Sequence, residues 1–159
     1  MQILEHDGSR LADIAALFTA SVHRLAAGHY DAAQRAAWAP QPPDPAHWAA
    51  RLRPATTLVA DEDGVLLGFL AYEARGHIDM LFTSPLAPRR GVATGLYAEA
   101  ERRLRALGVA ELTTEASLVA EPFFARQGFA IVERQCVERG GQRFERALMR
   151  KRLADEAAD

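Results

Sequence analysis

Apolar residues recur every three to four positions from Leu11 to Leu25, with Leu11, Ile14, Ala15, Leu17, Phe18, Val22 and Leu25 on one stripe. That is the period of a helix burying one face. Ahead of it, Gln2 to Glu5 reads as a short strand turned by Asp7-Gly8, and Ser9 or Asp13 is placed to cap the helix. Ala26-Ala27-Gly28 ends it. Asp31 opens a second short helix over Ala32 to Trp38, and Asp44 caps a third that runs through Arg53. Between these two lies Pro40-Gln41-Pro42-Pro43-Asp44-Pro45, a stiff loop suited to a lid or a substrate-side wall.

From Thr56 the period changes to two. Thr57 to Ala60 predicts a strand, Asp61-Glu62-Asp63-Gly64 a hairpin turn, and Val65 to Ala74 its partner. Arg75-Gly76 leads into a central strand, His77 to Thr83. Strict alternation there places Ile78, Met80 and Phe82 on one face and Asp79, Leu81 and Thr83 on the other. Pro85 and Pro88 stop the strand. A helical stripe then runs through Val92, Ala93, Leu96, Tyr97, Ala100, Leu104 and Leu107, closed by Gly108. Val109 to Thr114 predicts another strand, Ser117 to Gln127 a helix, and Phe129 to Arg139 with Arg143 to Met149 a last hairpin around Gly140-Gly141. The order implies an α+β layered domain over residues 1–150, a mixed and mostly antiparallel sheet with helices on both faces, followed by a polar tail at 151–159.

Composition narrows the function. A net charge of −2 over 159 residues argues against nucleic acid, whose binding depends on neutralising many phosphates. Cys136 is the single cysteine, which leaves no internal disulfide and suits a reducing compartment. No apolar run reaches membrane-spanning length, and the start MQILEHDGSR lacks a signal pattern, so a cytoplasmic protein without a membrane partner is expected. The histidines and the cysteine are scattered without metal-ligand spacing, so no metal is expected.

Chemistry concentrates at Arg89-Arg90-Gly91-Val92-Ala93-Thr94-Gly95, where two cations and small residues precede a long helix. A helix start presents free amides and a positive dipole end, which suits a phosphate or pyrophosphate. A solvated Arg-Arg turn and a Gly95 that serves helix–sheet packing are the competing readings. A dinucleotide fingerprint is excluded, because Gly91-x-x-x-Gly95 lacks the third glycine.

The run DMLFTSPLAPRRGVATGLYAEAERRL resembles the acetyl-CoA-binding motif of the GNAT superfamily of N-acetyltransferases: a strand, Gln/Arg-x-x-Gly-x-Gly/Ala, then a helix. Gly91-x-Ala93 matches its end, while Pro88 stands where the family has Gln or Arg. A second block, Ala116 to Phe129, resembles the family's later motif, a helix ending in Phe-Tyr-x-x-x-Gly-Phe, with Phe124 in place of the tyrosine. His29-Tyr30, Ala37-Trp38-Ala39 and Trp48 further resemble a YafP-like bacterial branch. The resemblance implies the GNAT fold and transfer of an acetyl group from acetyl-CoA to the amine of a small molecule or peptide. It implies that the strand backbone at Leu81, Phe82 and Thr83 meets the pantetheine arm. The pyrophosphate would lie on Arg89, Arg90, Gly91, Val92, Ala93, Thr94 and Gly95. It also allows a homodimer.

Ser117 stands where many relatives carry a CoA-contacting Asn, or it caps a helix. Asp79 is a base candidate if it faces the cofactor, and otherwise an ion-pair partner. His29 is the other base candidate, near where relatives build the acceptor pocket, or else part of a packed helix end. Trp38 and Trp48 are read as core or wall. Phe124 cannot donate a proton, so the family's tyrosine acid is missing, leaving water or another group such as Tyr72 or Tyr97. Phe124 and Pro88 also favour an alternative, a non-catalytic acyl-CoA-binding or protein-interaction module on the same fold.

Overall fold

The computed structural model describes residues 1–153. In chain order the elements are β1 (Gln2–Glu5), α1 (Leu11–Leu25), α2 (Ala32–Trp38), α3 (Pro45–Leu52), β2 (Thr56–Glu62), β3 (Val65–Tyr72), β4 (His77–Thr83), α4 (Val92–Ala106), β5 (Glu111–Ser117), α5 (Glu121–Arg126), β6 (Ala130–Arg139) and β7 (Gln142–Arg152). The strands form one sheet in the order β1-β2-β3-β4-β5-β7-β6. Every neighbouring pair is antiparallel except β4 and β5. One face carries α4 and α5 over a core that includes Leu58, Leu70, Ile78, Leu96, Leu104 and Leu112. The other carries α1 and α3 over Ile14, Phe18, Val22, Trp48, Phe69 and Met80. This is the expected α+β arrangement.

Local chemistry sets most boundaries. Asp31 and Gln34 close a capping box at the start of α2, and Asp44 accepts from the Ala46 amide at the start of α3. The β2–β3 turn places Asp63 and Gly64 at φ 53° and 85°, the paired left-handed conformation of a tight hairpin. At the end of α4 the Val109 amide bonds to Leu104 O and the Gly108 amide to Arg105 O, a Schellman motif around Gly108 at φ 79°.

Four expectations change. Neither Ser9 nor Asp13 caps α1. Arg10 holds that position, with its guanidinium on Asp61, Asp13 and Gly64 O. The fifth strand reaches Ser117 and the following helix begins only at Glu121, because Leu118–Ala120 form a turn. Lys151 and Arg152, placed in the tail by their polarity, continue β7, and Lys151 Nζ lies 2.6 Å from Glu101 of α4. The remainder of the expected tail, 154–159, lies outside the described residues.

The fourth change matters most for the site. Ala71 pairs with Met80 but Tyr72 pairs with Ile78, so Asp79 is an extra residue in β4, a β-bulge. Alternation resets there. Ile78 joins the core beneath α4, while Met80 joins the core beneath α1 and α3. Asp79 therefore does not share a face with Leu81, which packs toward α4, and instead meets Arg51 of α3.

Candidate functional site

Among the described residues, β4 and β5 pair only as His77 with Thr113 and Ile78 with Thr114. Beyond that point they diverge. Thr114 Oγ donates to Ile78 O at 2.9 Å and His77 Nδ1 lies 2.8 Å from Thr113 Oγ, which ties the strands together at the base of the fork. From the bulge to Thr83, the β5-facing edge of β4 has its backbone groups free of the sheet ladder, inside the molecule rather than at its rim. The bulge explains the divergence, since an extra residue bends its strand away from a neighbour.

The fork opens into a cleft of about 690 Å³. Its inner wall is aromatic. Phe18 and Phe82 stand 4.7 Å apart at their ring centroids, Tyr30 and Trp38 5.4 Å, and Trp38 and Phe144 6.2 Å. Pro40, Pro42 and Pro43 line it too, so the stiff loop is a wall of the cleft, and both tryptophans are wall as expected. The opening is charged. Arg51 grips Asp79 with two bonds, Nε to Oδ2 at 3.2 Å and Nη2 to Oδ1 at 3.1 Å. Arg146 reaches Glu115 at 2.8 Å, and Arg139 lines the same region.

Of the residues singled out from sequence, Asp79, Leu81, Phe82, Ser117 and Phe124 line this cleft. Ser117 is the last residue of β5, and its Oγ accepts from the Ala120 amide at 3.2 Å, capping a turn rather than a helix. His29 does not line the cleft. It is exposed beyond α1, and its neighbour Tyr30 turns inward instead. The Tyr30 hydroxyl donates to Glu145 O at 2.9 Å and accepts from the Leu118 amide at 3.0 Å, so its proton is committed. Burial pushes its pKa up, keeping the phenol neutral. Neither Tyr72 nor Tyr97 lines the cleft. The Tyr97 hydroxyl donates to Glu101 at 2.7 Å on the α4 side.

Thr83 runs directly into the loop that leads to α4. Arg89 at φ 58° and Gly91 at φ 73° both take left-handed conformations there. For arginine that conformation is uncommon and costs energy, the kind of strain found at ligand clamps. Gly91 is the N-cap and supplies no side-chain bond. The first amide of α4 bonded within the helix is that of Gly95, to Gly91 O at 2.9 Å, so the amides of Val92, Ala93 and Thr94 lack an intrahelical acceptor. Arg89 is exposed, whereas Arg90 is paired with Glu62 at 2.5 Å. Gly95 serves packing: a Cβ on it would come within 3.1 Å of Met1 Cε and 3.8 Å of Ile3 Cδ1, so β1 lies against it. Val92 is likewise a core side chain, leaving only its backbone to the loop.

Phe124 is 2% exposed, its ring packed on Phe129 at 5.1 Å and Phe123 at 5.4 Å. Phe123 and Phe129, the rings packed on it, offer an added hydroxyl no hydrogen-bond partner. Phe124→Tyr is accordingly expected to lose about 1–3 kcal/mol of stability with no gain in turnover. Denaturant midpoints and kcat check this, and a faster variant of unchanged stability would show that a proton donor fits there.

A central sheet that forks beside a left-handed loop and an uncapped helix start defines a GNAT-type layout, and the chain belongs to that family. Residues 26–152 match the Acetyltransferase (GNAT) domain. The chain is 34% identical to the uncharacterized N-acetyltransferase YafP of Escherichia coli (strain K12), over 94% of this chain and 95% of that protein. A GCN5-related N-acetyltransferase structure from Rhodopseudomonas palustris superposes with a TM-score of 0.91 at 36% identity, covering 96% of this chain and 95% of that one. The fold is shared at 19% identity and a TM-score of 0.71 with the PaiA N-acetyltransferase of Thermoplasma acidophilum in complex with coenzyme A, over 96% of this chain and all of that one.

Proposed function

We propose that this protein transfers an acetyl group from acetyl-CoA to an amine of a small molecule or peptide by direct transfer. The observation that carries the reading is the fork between β4 and β5, which presents an unpaired strand edge within a cleft. Such an edge accepts an extended, amide-bearing chain as a further strand would be accepted. Pantetheine is such a chain, and the edge at Leu81, Phe82 and Thr83 would hold it. The free amides of Val92, Ala93 and Thr94, with Arg89 and the helix dipole, fit a pyrophosphate at the end of the same edge. Pro88 contributes neither a backbone nor a side-chain donor, so this anion site rests on the residues after it. Coenzyme A in the Thermoplasma relative of the same fold supports the assignment.

Bound acetyl-CoA supplies an acetyl group activated as a thioester. The chain's own part is to position the amine and to take its proton. In this reading Asp79 is the acceptor of that proton. Its carboxylate faces the cleft, and each oxygen that bonds Arg51 keeps a further lone pair. Phe124 and the aromatic wall provide no acid, so the departing sulfur takes its proton from solvent at the opening of the cleft.

The test is a panel of amines with acetyl-CoA, read by release of free CoA and by thermal shift. Saturating ligand at a hundred times its Kd stabilises the folded state by about 2.7 kcal/mol. A flat melt would sink the reading, whereas binding without turnover would favour the non-catalytic acyl-CoA module. Asp79→Asn is expected to lower kcat by roughly 10²–10⁴-fold with the acetyl-CoA shift unchanged. Arg51→Met should cost less. Equal losses in the two variants would make Asp79 only the holder of Arg51.

A further inference from the structure

Three guanidinium groups meet at the opening of the cleft, and two of them are occupied. Arg51 is held by Asp79, and Arg146 by Glu115 at 2.8 Å and by Gln135 Oε1 at 2.9 Å. Among the described residues, the Arg139 side chain meets no carboxylate within ion-pair reach and no hydrogen-bond acceptor. Its place is nonetheless well defined. Arg139 ends β6 two residues after Val137, on the face that packs toward Tyr30 and Phe144. The adjoining hairpin tip is seated on α2, where a Cβ on Gly140 would come within 3.1 Å of Ala37 Cβ. Arg139 is exposed, and crowding by neighbouring protein atoms, then by the nearby Arg51 and Arg146, lowers its pKa from the ordinary value. A guanidinium stays protonated at neutral pH all the same.

The cluster thus holds one cation in excess. The remaining acidic residues along the cleft form no ion pair with Arg139. Asp44 is committed to capping α3, and Glu145 alternates to the face of β7 opposite Arg146. Arg139 is exposed at the opening of the cleft, and an anion from the substrate is the partner that its guanidinium lacks among the described residues. Resting on the acetyltransferase reading above, we propose that the acceptor amine carries a carboxylate, which docks on Arg139 beside Arg51 and Arg146. The substrate class is then an amino-carboxylic acid. A planar carboxylate matches the fork of a guanidinium and carries the single charge that the cluster lacks, whereas a dianionic phosphate would overcompensate it. The same arrangement gives the other end of the molecule a partner, because a cationic amino group would be drawn to Asp79.

The experiment compares free L-amino acids, β-alanine and 4-aminobutyrate with their carboxamides, the amine being unchanged within each pair. Two readouts are taken on the full chain: kcat/KM with acetyl-CoA, and calorimetric binding of the acceptor to protein saturated with CoA. At least one acid is expected to exceed its amide by roughly tenfold or more in both, the scale of one charge-assisted contact. Rising salt should shrink the ratio. Arg139→Gln should collapse it through KM, and Arg139→Lys should restore part of it. Amides used as well as acids, or a ratio that survives Arg139→Gln, overturns the inference while leaving acetyl transfer intact. Preference for an aminophosphonate over the matched carboxylate also overturns it. Where CoA binds without turnover, the absence of Arg139-dependent heat with every acid does the same. A chain that neither binds nor consumes acetyl-CoA brings down the underlying reading as well.

Discussion

Gly91→Glu is expected to abolish acetyl-CoA binding, with an affinity loss of at least roughly a hundredfold, while the protein stays folded. Gly91 is the N-cap of α4 at φ 73°, and a Cβ built there meets nothing within 4 Å. The protein itself therefore has room for a side chain. The internal cost is the left-handed backbone alone, about 1–2 kcal/mol for a residue with a Cβ. The ligand-side cost is larger. A carboxylate at this point lies among the free amides of Val92, Ala93 and Thr94, satisfies them, and neutralises the positive end of the helix dipole. A pyrophosphate then meets a like charge in place of donors, and each charge-assisted bond lost is worth roughly 1.5–3 kcal/mol. Two such losses reach the stated factor. Gly91→Ala should show the backbone strain and keep most of the affinity. Ala98→Glu adds the same charge on an exposed part of α4 and should leave the acetyl-CoA thermal shift in place. Equal loss in Ala98→Glu would trace the effect to overall charge, and retention in Gly91→Glu would move the anion site elsewhere.

Local signals in the sequence specify much of the fold around this site, and distant residues decide the rest. The extent of β4, the glycine that closes α4, the caps at Asp31 and Asp44 and the turn at Gly140-Gly141 all follow from a few adjacent residues. The bulge does not. Asp79 in an apolar run is the only hint, and strict alternation carries Ile78 to the wrong face. The boundary between β5 and α5 lacks a local signal for a similar reason. Leu118 to Ala120 are held as a turn partly by the Tyr30 hydroxyl, which arrives from beyond α1 and bonds the Leu118 amide. Arg10 displaced two ordinary caps because Asp61 and Gly64 O await it on the neighbouring hairpin. Lys151 read as tail because its partners, Glu101 and Tyr97, lie on α4. Which of His29 and Tyr30 turns inward depends on the direction of the chain leaving α1, which no periodicity records. Arg139 carried no signal at all, since an arginine in an edge hairpin is ordinary until its neighbours prove to be already paired.

Replacing Gly76 with alanine is expected to cost roughly 3 kcal/mol or more, on the scale of the most damaging single substitutions. Gly76 lies at φ 107°, where L side chains are strained, and its added Cβ would stand 2.4 Å from Glu111 O and 2.8 Å from Val109 Cγ1. The first of these contacts is backbone, so no rotamer change relieves it. Relief must come from moving β5 away from the turn that begins β4. That movement strikes the narrowest join in the sheet, because Gly76 O accepts the Thr113 amide at 3.0 Å and the two strands pair for only two residues beyond it. Everything that positions the fork stands on this join. Gly8→Ala separates the two causes: Gly8 has a similar φ of 97° but nothing within 4 Å of its Cβ, so it should show strain alone, about 1–2 kcal/mol. Denaturant midpoints of the two variants are the measurement. If Gly76→Ala costs no more than Gly8→Ala, the sheet yields at this join and the fork is held open by something other than the close approach of β5. If the larger loss is seen, the cleft owes its shape to a glycine that carries no chemistry of its own, set where two parallel strands first touch and then part.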